Sequence, residues 1–154
     1  MYVCNGRFCI LKELTTNNEV ELFRMMIQHS DEYRQTVSDA PIPSLMSMFQ
    51  EKLQIWFRNG RNYQFLIYSK KHFLSGTIFL YGWNKQTRIV KCSCFFTPNK
   101  RKELLTTESL GLVISFAFHF MNIESIYFDV YEDNSEMQKL AHRIGGKKLG
   151  CRKS

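Results

Sequence analysis

The 154-residue chain contains no apolar run of the roughly 18 to 20 residues that a membrane-spanning helix needs. No membrane partner is therefore expected. Its start, Met1-Tyr2-Val3-Cys4-Asn5-Gly6-Arg7, also lacks the long apolar stretch and small-residue cleavage site of a signal peptide, which points to a cytoplasmic protein. The cysteines, at positions 4, 9, 92, 94 and 151, are odd in number and lack paired metal-ligand spacing. Cys92-Ser93-Cys94 places two thiols on one face of a strand, whereas zinc knuckles separate their ligands by a turn of about two to four residues. Free thiols and no metal are expected. Linkers, internal repeats and low-complexity segments are missing too, so one domain over 1–154 is expected. A chain of this size buries roughly 70% of its unfolded surface and needs neither disulfide nor metal for a core.

Aromatic residues are plentiful, with 13 Phe, 7 Tyr and 2 Trp. Alternation and capping signals place them in a definite order of elements. A strand over 7–14 is followed by Thr16-Asn17-Asn18, which has helix-cap chemistry, and by a helical face at Val20, Leu22, Phe23, Met26 and Ile27 running to about Tyr33. The breaker Asp39-Ala40-Pro41-Ile42-Pro43-Ser44 caps a second helix over 45–57, which Asn59-Gly60 ends. Strands over 63–68, 74–81 and 88–96, joined by short polar turns, read as an antiparallel meander. A long helix over 105–121 then offers Leu112, Val113, Phe116 and Phe120 to the sheet, and a strand over 125–131 and a helix over 135–144 complete the order β-α-α-β-β-β-α-β-α. The fold class is α+β: a mixed, mostly antiparallel sheet flanked by helices. His119, within Phe116-Ala117-Phe118-His119-Phe120, reads as a buried or boundary residue, and the Met25-Met26 and Met46-Ser47-Met48 positions as core filling.

The stretch from Thr97 to Gly146 carries the functional signal: strand end, loop, long helix, strand, Asn-Ser, helix, Gly-Gly. Its loop reads Thr97-Pro98-Asn99-Lys100-Arg101-Lys102-Glu103-Leu104-Leu105-Thr106-Thr107-Glu108-Ser109-Leu110, and its later strand Ile126-Tyr127-Phe128-Asp129-Val130-Tyr131-Glu132-Asp133-Asn134-Ser135. This pattern resembles the GNAT acyltransferases, nearest to the RimJ/RimL and spermidine acetyltransferase branch. The resemblance implies acetyl-CoA as co-substrate, held by Phe95, Phe96, the loop and helix start at Arg101, Lys102, Glu103, Leu104, Leu105, Thr106 and Thr107, and Asn134. Aligned on Pro98, the family's Arg/Gln-x-x-Gly-x-Gly/Ala loop falls on Arg101 to Thr106. Only Arg101 matches; Leu104 and Thr106 stand at the glycine positions, and Lys102 at a further one. Those glycines let bare backbone approach a diphosphate, whose charge the N–H groups of a helix N-terminus accept. The N–H groups survive substitution provided that Leu104 points away, and Lys100, Arg101 and Lys102 add compensating charge. Taken alone, that basic triple reads as a solvated turn, and Asn134-Ser135 as a helix cap. Gly145 matches the Gly of the family's Gly-Phe pair, and Gly146 replaces the Phe.

The chemistry implied is direct attack of an amine on the thioester, which requires deprotonation of an ammonium and reprotonation of a thiolate. The family's Glu base position is Lys91, and its frequent Tyr acid falls on Ala141. Lys91 serves as a base only if burial or a nearby cation lowers its pKa; otherwise it is a surface lysine. Ser93, Cys94, Tyr127, Tyr131 and His142 lie on the right elements, but no Cys-His spacing identifies a nucleophile and its base. Acceptor choice is implied for the segment 28–44, where Asp31, Glu32 and Asp39 offer carboxylates to an amine; aminosugars, polyamines and protein N-termini all stay open. Residues 147–154 hold too few apolar side chains for a central strand, so the final strand of the family is expected to be short or missing. That leaves an open edge over 126–131 for a homodimer or a partner protein. The formal charge of +7 suits coenzyme A, nucleic acid or a membrane surface alike. Nucleic acid is disfavoured because the basic residues are not interleaved with exposed aromatics on one clear face. The expected function is an N-acetyltransferase; the alternative is a catalytically inactive module of the same fold that binds a partner.

Overall fold

Apolar segments bounded by polar turns form strands, and a computed structural model arranges six of them in one sheet of order β1-β2-β3-β4-β5-β6. The structure describes residues 2–15, 63–97, 103–128 and 135–146. The helices expected over 16–33 and 45–57, with Asp31 and Glu32, lie outside the described residues, as do Arg101, Lys102, Tyr131, Asn134 and the tail after Gly146. The strands are β1 (Val3–Asn5), β2 (Cys9–Glu13), β3 (Tyr63–Ser69), β4 (Leu74–Asn84), β5 (Ile89–Phe96) and β6 (Ser125–Phe128). Two described helices, α1 (Glu103–Phe120) and α2 (Ser135–Arg143), stand on either side of β6 in the chain.

Neighbouring strands pair antiparallel from β1 to β5, and β6 joins β5 in parallel. The parallel step follows from the crossover through α1, since parallel strands cannot be joined by a tight turn. The structure adds β1, which sequence patterning does not reveal because Val3-Cys4-Asn5 is too short to show alternation. It also carries β4 three residues past the expected end, to Asn84, through a register shift between Tyr81 and Asn84 where Gly82 takes φ +63°. Only a residue free of a Cβ penalty adopts that conformation cheaply.

Register assigns the faces. Leu11, Phe65, Ile67, Ile78, Leu80, Val90, Cys92 and Cys94 point to one side and pack with Leu105, Leu110, Val113, Phe116, Ala117 and Met121 of the α1 segment and Leu140 of α2. Leu66, Tyr68, Thr77 and Phe95 are buried on the opposite face, where Gln64 Nε2 donates to Thr77 Oγ1 at 2.9 Å. The expected helix face is borne out at Val113 and Phe116, with Leu112 half-buried, and needs correction at Phe120, which is 66% exposed. Buried positions 105, 109, 113 and 117 advance by fours, and the next inward place on that row is Met121, fully buried, so Phe120 is rotated outward. His119 is likewise exposed, its Nδ1 lying 2.7 Å from the Ser115 carbonyl oxygen.

A carboxylate fastens the helix to the first hairpin. Glu108 accepts from the backbone N–H groups of Arg7, Phe8 and Cys9 at 2.9, 2.8 and 3.1 Å and from Cys9 Sγ at 3.2 Å. Gly6 leaves room for it, since a Cβ there would meet the Glu108 carboxylate. Burial acts to raise the Glu108 pKa, but the bonds from Phe8, the Cys9 thiol, Arg7 and the Cys9 backbone together outweigh it and hold the group below its ordinary value.

Candidate active site

The alternation of β5 decides which expected groups share a face. Val90, Cys92, Cys94 and Phe96 turn toward α1, whereas Lys91, Ser93 and Phe95 turn to the opposite side. Lys91 is in register with Tyr127 across the parallel pair, so Lys91, Ser93 and the 43%-exposed Tyr127 line one surface. Cys94, only 5% exposed, sits instead in the core between sheet and helix. Burial pushes the neighbouring Cys92 thiol well above its ordinary pKa, and burial followed by the Glu108 bond takes Cys9 to about 12. Both stay protonated near neutrality and are poor nucleophiles. His142, on α2, is exposed.

Lys91 leans on the β4 bulge: a Cβ on Gly82 would stand 3.8 Å from its Cδ. Phe96 lies against bare backbone as well, because a Cβ on Gly76 would come within 2.5 Å of its ring and 2.6 Å of the Phe95 carbonyl oxygen. Glycine at 76 is thus what lets the end of β5 close on β4. The pairing of β5 with β6 runs from Ile89 opposite Ser125 to Cys92 opposite Phe128, and β5 continues through Ser93 to Phe96 beyond the described end of β6.

The other end of this pair is clamped by Arg88, a role that the sequence does not announce. Its side chain donates to Asn122 O, Asn122 Oδ1 and Glu124 Oε1 at 3.2, 3.0 and 3.0 Å, while its carbonyl accepts from Glu124 N at 2.7 Å. The start of β6 is thereby tied to the start of β5.

Past Phe96, Thr97 is anchored by its N–H and hydroxyl to the Ser75 carbonyl, at 2.8 and 3.2 Å. The helix α1 begins at Glu103, and the first-turn N–H groups of any α-helix have no acceptor within the helix itself. Leu104 is 60% exposed, whereas Thr106 is buried with its hydroxyl donating to Glu103 O at 3.1 Å. Leu105 is buried, and Glu103 and Thr107 are exposed and half-buried. The Glu103 carboxylate would repel an anion at this helix end, but Arg143 at the end of α2 meets it at 3.4 Å. That arginine was missed by motif reading; its only sequence signal is a basic last turn. The backbone after it closes with Gly145 N–H on His142 O at 3.0 Å and Gly146 N–H on Ala141 O at 2.8 Å, with Gly145 at φ +93°. The Gly-Gly pair is therefore a helix C-cap of the Schellman type. Among the described residues, no three His, Cys, Asp or Glu side chains are grouped to hold a metal, and no helix is long and apolar enough to cross a membrane.

A mostly antiparallel sheet with a parallel fifth and sixth strand, and a long helix that follows the fifth in the chain, is the framework of a coenzyme-dependent acyltransferase. The sequence matches the Acetyltransferase (GNAT) domain over residues 10–147, and the chain belongs to that family. Acetyl-CoA is the co-substrate typical of it. Solved structures with the same fold include the ribosomal-protein alpha-N-acetyltransferase RimL, at TM-score 0.82 and 12% identity, covering 99% of this chain and 84% of RimL. A ribosomal-protein-alanine acetyltransferase from Vibrio fischeri gives 0.82 and 11%, covering 97% and 85%. Spermidine N-acetyltransferase from Vibrio cholerae, in complex with CoA and spermine, gives 0.68 and 15%, covering 89% and 79%. No curated protein matches the sequence.

Proposed function

We propose that the protein is an N-acetyltransferase that moves the acetyl group of acetyl-CoA to a primary amine by direct attack in a ternary complex. The observation that carries this reading is the start of α1 after the β5 end, where the Glu103 carboxylate is matched by Arg143. The first-turn N–H groups, Arg101 and Lys102 would hold the diphosphate, and Phe95, Phe96, the Glu103–Thr107 turn and Asn134, at the positions that align with the family's cofactor site, would complete it. When bound, acetyl-CoA supplies the activated acyl group. The amine nitrogen attacks the thioester carbonyl carbon, the C–S bond breaks, the leaving thiolate takes a proton, and the ammonium proton passes to a base or to solvent. Lys91, Ser93 and Tyr127, which share one face, are proposed to serve these transfers. Holding amine and thioester together itself lowers the barrier by several kcal/mol. Asp31 and Glu32 are proposed to hold the acceptor's cation, and a polyamine or a protein N-terminus fits that role.

One observation favours a second reading, a catalytically inactive GNAT-fold module that binds a partner. A 60%-exposed Leu104 stands where the family keeps bare backbone. Calorimetric titration of coenzyme A separates the two. Arg101→Ala is expected to weaken binding by about 1.5 to 3 kcal/mol, the range of a hydrogen bond to a charged group, and Asn134→Ala by less. Equal affinities in wild type and Arg101→Ala would remove the arginine from the site.

Among the described residues only β5 pairs with β6, whose outer edge is the proposed contact with a second copy or a partner protein. Light scattering at high micromolar concentration is expected to give twice the mass of the chain. A monomer with that edge open to solvent would contradict the proposal.

A further inference from the structure

Register brings three segments to one end of the sheet. Cys9 pairs with Ser69 and Gly76 with Phe96, so the β1–β2 turn, the β3–β4 turn and the end of β5 lie together. The β3–β4 turn is Lys70-Lys71-His72-Phe73, exposed throughout, with Phe73 at 70%. It is also held in shape. His72, at φ +68°, donates its N–H to Ser69 O at 2.9 Å; Ser69 N–H donates to Phe73 O at 2.8 Å; and Ser75 Oγ donates to the same oxygen at 3.1 Å. Through Ser75 the turn is bonded to Thr97, from which the loop bearing Arg101 departs.

On the neighbouring turn Arg7 is exposed, its guanidinium 5.4 Å from the Phe8 ring centre. None of Arg7, Lys70 and Lys71 is in an ion pair among the described residues. Exposed cations beside an exposed aromatic ring suit a ligand that combines phosphate with a flat base. The turn stands one to two strand spacings, roughly 5 to 10 Å, from the end of β5. A ribose phosphorylated at both its 5′ and 3′ carbons spans a distance of that order.

We infer that this turn is a second anion subsite, in which Lys70 and Lys71, with Arg7, hold the 3′-phosphate of coenzyme A and Phe73 supports its adenine. The inference rests on the acetyl-CoA reading above. Two cations on this turn and one on its neighbour match a single phosphate group, whereas a nucleic-acid strand calls for a longer basic track.

The test is calorimetric titration of coenzyme A and of dephospho-coenzyme A, which lacks only the 3′-phosphate, into three proteins. These are wild type, Lys70→Ala/Lys71→Ala and Phe73→Ala, whose exposed positions leave the fold intact, as circular dichroism will verify. Wild type is expected to prefer coenzyme A by about 10-fold, the low end for a charge-assisted contact. The double variant should lose that preference and bind both ligands at the wild-type level for dephospho-coenzyme A. Phe73→Ala should weaken both ligands alike, by about 5-fold, because both carry the adenine. Equal wild-type affinities, or a preference that survives in the double variant, would overturn the subsite while leaving the acetyltransferase reading intact. A wild type that binds neither ligand would overturn both. Loss of a single-stranded RNA oligonucleotide in the double variant, without any difference between the two coenzymes, would reassign the surface to nucleic acid.

Discussion

Phe116→Ala is expected to destabilise the protein by about 3 to 5 kcal/mol, the usual cost of removing a buried aromatic ring and leaving a cavity. The ring is 6% exposed and meets Tyr2, Tyr63 and Phe65 at centroid distances of 4.9, 5.0 and 5.0 Å. It therefore joins α1 to β3 and to the N-terminal segment at once. Phe120 touches the same cluster, 5.1 Å from Phe116, yet is 66% exposed, so Phe120→Ala is expected to cost about 1 kcal/mol or less. Urea unfolding of the two variants reads the difference directly. Similar losses would mean that the helix packs by its outward row, contrary to the burial of Met121.

Glu108→Ala is expected to cost about 2 to 3 kcal/mol, because three backbone N–H groups of the first hairpin lose a charged acceptor. The exposed Arg7 end lets water recover part of the loss, which keeps the figure below the sum of three such bonds. At roughly 2 to 4 °C per kcal/mol for a chain of this size, the midpoint of thermal unfolding should fall by about 4 to 12 °C. The sign with pH follows from the depressed carboxyl pKa. The stabilisation is complete above the unfolded value of about 4.3 and is lost as pH falls through the lower folded value. The gap between wild type and Glu108→Ala should therefore be widest above about pH 5 and narrow toward pH 2. A gap independent of pH would show that the carboxylate charge is not what holds the hairpin.

The strands and the long helix were legible because short polar turns bound the apolar strand segments from Tyr63 to Phe96 and because the 105–121 segment is a long, mostly apolar run without a breaker. Phe120 was misplaced because periodicity fixes a stripe only to within one residue; Phe120 and Met121 are both apolar, and the sheet takes the second. Glu108 was invisible for a different reason. Its partners lie about 100 positions earlier in the chain, and a carboxylate that binds backbone leaves no side-chain pattern for sequence reading to find. Arg88 and Arg143 share that property, since each acts through a contact made only when distant elements meet. Family membership was readable from the order of elements between Thr97 and Gly146, not from loop chemistry, where Arg101 alone keeps the motif.

The central claim is that this loop still binds the cofactor although Leu104 and Thr106 have replaced glycines. Calorimetric titration of coenzyme A into the wild-type protein tests it most directly. Saturable binding with a dissociation constant below the millimolar range, weakened in Arg101→Ala, is the predicted result. No heat at millimolar coenzyme A would contradict the acetyltransferase account and leave the partner-binding module in its place.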